Sequence, residues 1–257
     1  MFDRLTPIVK HLLLANVVIY VALLVLPKNI YQDFFLLHKS NLLGFRSEVN
    51  LDGQSYFLPR SIPLNRGGEA FEMTPDNAEA VIEESPQLAE ELARYLPEAD
   101  RFSPLQIVTS FFAHDLNGFT HILFNMLMLA GLGPILEMVL GPKRFLRFYL
   151  FCGVFAGILL AFVDPSPVPV VGASTALSGV LVAFAFFFPK EKLSFMFIPV
   201  GIEARWFVLG FASISAILIL LDLAGSHIGG SVSHFGHLAG MISAALYYSF
   251  EKYLPFK

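Results

Sequence analysis

Charge is scarce in this sequence. Only 15% of its 257 residues are Asp, Glu, Lys or Arg, against 55% hydrophobic, whereas soluble domains carry about a quarter charged residues. Cysteine is scarcer still. Cys152 stands alone inside an apolar run, so no intramolecular disulfide can staple the fold, and its simplest role is a small core or lipid-facing residue. No basic run is present, which excludes the electrostatic footprint of a nucleic-acid binder. No HExxH pair occurs, which removes that metalloprotease route; no metal or cofactor is expected. What the chain has instead is apolar runs of near membrane-spanning length, separated by short polar breaks. That is the pattern of an all-α, polytopic membrane protein.

A membrane-crossing helix needs about 20 mostly apolar residues. Six windows qualify, near 8–27, 117–138, 145–163, 172–188, 206–223 and 235–250. The first follows Arg4 and Lys10, as a signal peptide would. The chain then continues Pro27, Lys28, Asn29 with no small-residue cleavage site, so a retained helix is expected. Arg4, Lys10, Lys143, Arg144, Arg147, Lys190, Lys192, Arg205, Lys252 and Lys257 all fall on one side of a six-helix threading. The excess of lysine and arginine assigns that side, with both termini, to the cytoplasm. The other side receives the long segment 39–103 and the loops 164–171 and 224–234. Three regions result: 1–38 with the first helix, 39–103 as an acidic extramembrane insertion, and 104–257 as a core with the other five helices.

The same threading brings three polar groups to one depth. The second, fourth and sixth windows all begin at the outer face, and His121, Ser174 and His237 lie near their starts. In Gly172-Ala173-Ser174-Thr175 the serine, taken alone, reads as a helix N-cap, because a hydroxyl is a weak nucleophile without an adjacent base. A base is available in Gly236-His237-Leu238-Ala239-Gly240. His234, nearer the loop, competes with His237 for that role. Gly240 and Ala244 form a small-residue stripe that lets helices approach closely, and Gly179 offers a similar gap on the fourth helix. Close backbones are what a serine–histidine hydrogen bond needs. In Thr120-His121-Ile122-Leu123-Phe124-Asn125, His121 and Asn125 share a helix face. Both can donate hydrogen bonds, either to a developing oxyanion or as polar glue between helices.

These segments, GASTALSG at 172–179, HILFNM at 121–126 and GHLAG at 236–240, resemble in order and spacing the three signatures of the rhomboid family. LEMVLGPKRFLRFYL at 136–150 resembles its second loop and third helix. The resemblance covers about 103–250 well and the first helix loosely. It implies a six-helix bundle and an intramembrane serine endopeptidase working by a dyad, with Ser174 as nucleophile and His237 as base. It further implies an oxyanion site of His121, Asn125 and the Ser174 amide, and substrates that are transmembrane segments of other proteins in the bilayer. Gly172, Gly179 and Gly240 would serve helix packing at the site. Three departures stand out. Thr175 follows the nucleophile where the family usually has glycine or alanine. Ser178 occupies the place of an aromatic that often packs on the histidine. The tryptophan–arginine pair frequent in the first outer loop is not evident, since Trp206 is the sole tryptophan.

Other classes fare worse. A catalytically inactive rhomboid-like scaffold is the main alternative, although such relatives typically lack the serine or the histidine and this chain keeps both. A transporter would call for inverted repeats and broken helices. Aspartyl chemistry needs two facing aspartates, and Asp164 and Asp222 read as interfacial. Neither a transit peptide nor a lipidation motif is visible, so the bacterial cytoplasmic membrane is the expected location. The insertion carries twelve carboxylates against five arginines between Phe45 and Phe102, a net −7 that leaves about +3 for the rest of the chain. Thr74-Pro75-Asp76 and Ser85-Pro86 read as two helix starts, so a small helical hairpin is expected there, either a passive cover or a substrate-docking element.

Overall fold

The computed structural model describes residues 5–38, 47–51, 54–58, 62–66, 69–74, 76–84, 92, 102–164, 166, 168–193, 201–224 and 232–250. In chain order the elements are α1 (Pro7–Val25), α2 (Lys28–Phe34), β1 (Ser47–Leu51), β2 (Gln54–Leu58), β3 (Ile62–Arg66), β4 (Glu69–Met73) and α3 (Ala78–Glu84). They continue with α4 (Gln106–Thr109), a 3-10 turn (Ser110–Phe112), α5 (Thr120–Leu140), α6 (Pro142–Phe162), α7 (Ser174–Phe187), β5 (Lys192–Leu193), β6 (Ile202–Glu203), α8 (Ala204–Leu223) and α9 (His234–Phe250). The architecture is mostly helical. A helix occupies each of the six apolar windows. Four of them (α1, α5, α6 and α8) are long and apolar enough to cross a membrane, with mean hydropathy of 2.3, 1.8, 2.1 and 2.2. The other two, α7 and α9, have 14 and 17 residues.

Helix ends are fixed by residues distant in sequence. Pro7 opens α1 at a position where its missing N–H costs nothing. The amides of Ile8 and Val9 donate to the Glu137 carboxylate at 3.0 and 2.9 Å, and the Thr6 hydroxyl donates to it as well. A buried glutamate in the last turn of α5 thus caps α1, accepting from amides that have no partner within their own helix. Gly141, at φ +78°, then turns the chain directly into α6, with Pro142 at its start.

Small residues set how closely the helices pack. A Cβ on Gly133 would lie 2.8 Å from the Val9 side chain, where α1 passes α5. On Gly153 and Gly157 it would lie 3.0 Å from the Phe111 ring and 2.9 Å from the Ile107 carbonyl oxygen, where α4 and the 3-10 turn lie on α6. The tightest pair is α7 with α9. The main core joins Phe145, Phe148, Tyr149, Leu129, Leu136 and Leu177 from α5, α6 and α7.

A second set of contacts organises the helix starts. Leu37 and Val170 exchange both backbone hydrogen bonds, at 2.9 and 3.1 Å. The buried Gln106 amide donates to the Asp33 carbonyl at 2.8 Å and accepts from the amides of His38 and Ser103. The Thr109 hydroxyl donates to Phe34 O. The Gly172 amide donates to Ser110 O at 2.9 Å. The chain entering α7 is therefore stitched to Leu37, past the end of α2, and to Ser110 of the 3-10 turn before Ser174 begins the helix.

The segment 47–73 lies before the expected helical hairpin and carries strands that an all-α reading does not include. It folds as two antiparallel hairpins, β1–β2 in register Ser47↔Leu58 to Leu51↔Gln54, and β3–β4 in register Ile62↔Met73 to Arg66↔Glu69. Val49 and Leu51 alternate inward and join Tyr56, Met73 and Ala78 in a small apolar cluster. Two-residue links, Asp52-Gly53 and Gly67-Gly68, sit between the strands, and such dipeptides favour hairpins. One expected helix is present, starting at Ala78 rather than at Pro75, and Asn77 Oδ1 binds the Thr74 amide at 2.7 Å. The second expected helix, after Ser85-Pro86, lies outside the described residues.

Candidate active site

Ser174 is the first residue of α7, His121 the second of α5 and His237 the fourth of α9. Helix starts are rich in unpaired N–H groups and carry the positive end of the helix dipole. Three such ends therefore gather around these side chains. The gathering depends on the glycines. Gly172 has φ +123°, a left-handed conformation that an L side chain rarely adopts. A Cβ there would stand 2.6 Å from His121 Nε2 and 3.6 Å from Ser174 Oγ. Only the bare backbone lets the His121 ring reach the serine side of the turn.

The other wall is the crossing of α7 and α9. A Cβ on Gly240 would lie 1.9 Å from the Thr175 carbonyl oxygen and 3.1 Å from Ser178 Cβ. On Gly236 it would lie 3.1 Å from Thr175 Cγ2, and on Gly179 it would lie 3.1 Å from the Gly240 carbonyl oxygen and 2.5 Å from Cys152 Sγ. The two helices thus meet on both sides of His237, backbone to backbone at Gly240 and backbone to the Thr175 side chain at Gly236. That contact sets the His237 turn against the residue next to Ser174. His237 is 9% exposed and lies within electrostatic reach of His121 and His234. Among the described residues, no hydrogen bond joins the Ser174 hydroxyl to the His237 imidazole. Catalytic contacts in free enzymes are often long and tighten only when substrate is bound.

The Asp115 amide donates to His121 Nδ1 at 3.4 Å; in the neutral ring the proton then lies on Nε2, the nitrogen beside Gly172. Asn125 donates from Nδ2 to His121 O at 3.0 Å. An amide nitrogen carries two hydrogens, so one bond to its own helix leaves a second donor. His114 was not anticipated from the sequence. It is fully buried and its ring meets His121 edge-on at 5.1 Å. Burial, and then the neighbouring His121, push its pKa down to about 3, so it is a neutral wall at ordinary pH. Its carbonyl accepts the Tyr31 hydroxyl at 3.3 Å.

The departures noted in the sequence have structural outcomes. The Thr175 side chain is buried beside Gly236 in the helix contact. The Ser178 hydroxyl donates to Ser174 O at 2.8 Å, the back-bond a serine commonly makes inside a helix. No ring comes from α7. The His237 ring instead packs on Phe211 of α8, with centroids 5.1 Å apart. His234 lies edge-on to His237 at 6.0 Å. No feature of the primary sequence singles out Phe211 among many phenylalanines. Among the described residues, no group of three His, Cys, Asp or Glu could hold a metal ion.

The sequence is also similar to known proteins. A family model described as Rhomboid domain matches residues 101–251. The chain is 32% identical over 155 residues to "Rhomboid protein 1, mitochondrial" of Saccharomyces cerevisiae, covering 56% of this chain and 41% of the yeast protein. It is 28% identical over 125 residues to "Rhomboid protease GluP" of Bacillus subtilis, covering 49% of this chain and 22% of that one. It is also 28% identical over 143 residues to "Putative rhomboid protease YdcA" of Bacillus subtilis, covering 55% of this chain and 66% of that one. The matched stretches span under half of the first two relatives.

Proposed function

Because this chain belongs to the rhomboid family, we propose that it is an intramembrane serine endopeptidase in which Ser174 is the nucleophile and His237 the general base. The observation that carries this is the α7–α9 crossing. Gly240 against the Thr175 backbone and Gly236 against the Thr175 side chain hold the imidazole's helix turn next to the serine's, with His121 Nε2 beside Gly172.

In this mechanism His237 takes the Ser174 proton as Oγ attacks a peptide carbonyl. The tetrahedral oxyanion is held by His121 Nε2–H, the free N–H of Asn125 and the Ser174 amide, donors fixed before the charge develops. His237 then gives its proton to the leaving amine and later activates the water that hydrolyses the acyl-enzyme. The roles follow the Ser-His-Asp template without the aspartate. The substrate is a transmembrane helix of another protein, whose backbone bonds open locally before attack. The six helices all cross the bilayer, with both termini on the cytoplasmic side and the starts of α5, α7 and α9 towards the outer face of a bacterial cytoplasmic membrane. Residues 39–103 form an outer-side insertion, and 104–257 the catalytic core.

The test is cleavage of a model transmembrane substrate in proteoliposomes. Wild-type protein is expected to cut it and Ser174→Ala to leave it intact while folding normally. Equal cleavage by the two would remove Ser174 from the chemistry. A wild-type protein that cuts nothing and reacts with no fluorophosphonate would instead fit an inactive scaffold.

A further inference from the structure

We propose that Phe211 of α8 is a positioning residue that holds the His237 imidazole in its reactive orientation, an inference that rests on the dyad assignment above. In a Ser-His-Asp triad a carboxylate binds Nδ1 and fixes the ring. Here Nδ1 of His237 is sealed from solvent, and among the described residues it has no hydrogen-bond partner. The ring torsion of histidine has a broad two-fold profile rather than sharp staggered wells. Orientation therefore falls to whatever packs on the ring faces.

Among the described residues, two rings approach it. His234 meets it at 83°, from the same helix, at 6.0 Å. Phe211 lies closer, at 5.1 Å and a shallower 39°, and so covers a face. Phe207, one turn earlier on α8, stacks on Phe211 with centroids 6.3 Å apart at 22°. The nucleophile's own helix contributes no ring, because residue 178 is a serine whose hydroxyl is bonded to Ser174 O. The support comes instead from the helix least embedded in the protein. Along α8 Ala204 and Ser215 are buried, and Leu209, Ile214, Ile217 and Leu220 are exposed. The histidine's orientation is thereby tied to where α8 sits.

The experiment measures kcat and KM for a model transmembrane substrate in proteoliposomes, with the rate of fluorophosphonate labelling at Ser174 and the melting temperature alongside. Wild type, Phe211→Leu, Phe211→Met, Phe211→Tyr and Ser174→Ala are compared. Misplacing a reacting group by about 1 Å can cost about 100-fold, so kcat is expected to fall roughly 10- to 100-fold in the leucine and methionine proteins. KM and melting temperature stay near wild type, labelling slows in parallel, and tyrosine restores most of the rate. Wild-type kcat in both aliphatic variants would overturn the proposal. So would a loss confined to KM, or a tyrosine protein as slow as leucine. Cleavage by Ser174→Ala would show separately that the underlying dyad is wrong, whatever residue 211 does.

Discussion

At Gly240, where α9 crosses α7, an added Cβ would lie 1.9 Å from the Thr175 carbonyl oxygen; at Gly210, on α8, it would meet nothing within 4 Å. The two helix pairs border the same candidate site. One is locked by backbone contact, and the other presents an apolar face with Trp206, Leu209, Ile214 and Ile217 exposed. The difference separates what must be rigid from what need not be. The proposed nucleophile and base sit on the pair that cannot slide without clashes. The ring that covers the base is brought by the helix with the least holding it. Close backbone packing joins α7 to α9 at this site, where small residues replace side-chain glue, while hydrogen bonds fix the chain that enters α7.

Several substitutions sharpen or break that contrast. The largest effect is expected at the locked pair's neighbour, Asn125. Losing one oxyanion donor costs about 100- to 1000-fold in rate, so Asn125→Ala should lower kcat for a model transmembrane substrate by that order without changing the melting temperature. A change of less than about threefold would return Asn125 to the role of helix glue that its bond to His121 O also allows. Next comes Gly240→Ala. The added methyl must displace backbone, and overpacking typically costs about 1–3 kcal/mol. A clear drop in melting temperature is expected in detergent or bilayer, with activity falling as Ser174 and His237 separate; an unchanged protein would mean that the crossing is looser than drawn.

His114 gives a smaller, pH-dependent effect. Its folded pKa lies well below the ordinary 6.5, at about 3. Below pH 6.5 the unfolded chain therefore binds a proton that the folded chain refuses, and stability falls as pH falls. The contribution is complete above pH 6.5 and is lost progressively towards pH 3. Melting temperatures measured from pH 7 to pH 4 should decline more steeply in wild type than in His114→Asn; parallel curves would place His114 in water. The smallest effect belongs to the open helix. Gly210→Ala fills empty space and removes a flexible residue from a helix interior, worth roughly 0.5–1 kcal/mol in aqueous helices. Stability should hold or rise slightly. A loss there would reveal a neighbour against α8.

Much of this was legible in the sequence, for identifiable reasons. Long apolar runs mark helices whatever their partners, so each window found its helix. The motif residues His121, Asn125, Ser174 and His237 stand at or near helix starts, and an alternating thread must bring alternate starts to one end. The insertion was harder. Its proline-led helix starts at 74–76 and 85–86 point to helix, while the Asp52-Gly53 and Gly67-Gly68 pairs signal the strands before them. Phe211 was not legible at all, because its role depends on a tertiary contact with a residue 26 positions away, and the chain holds 27 phenylalanines. Ser178 was visible only as a missing aromatic; the bond from its hydroxyl to Ser174 O needed coordinates.

The most direct measurement is the rate at which a fluorophosphonate labels Ser174, read by mass spectrometry of the modified peptide, in wild type and His237→Ala. If the imidazole activates that hydroxyl, wild type is labelled at Ser174 alone and the alanine variant slows by on the order of 1000-fold or more. Equal labelling of the two proteins, or labelling at another serine, would contradict the dyad.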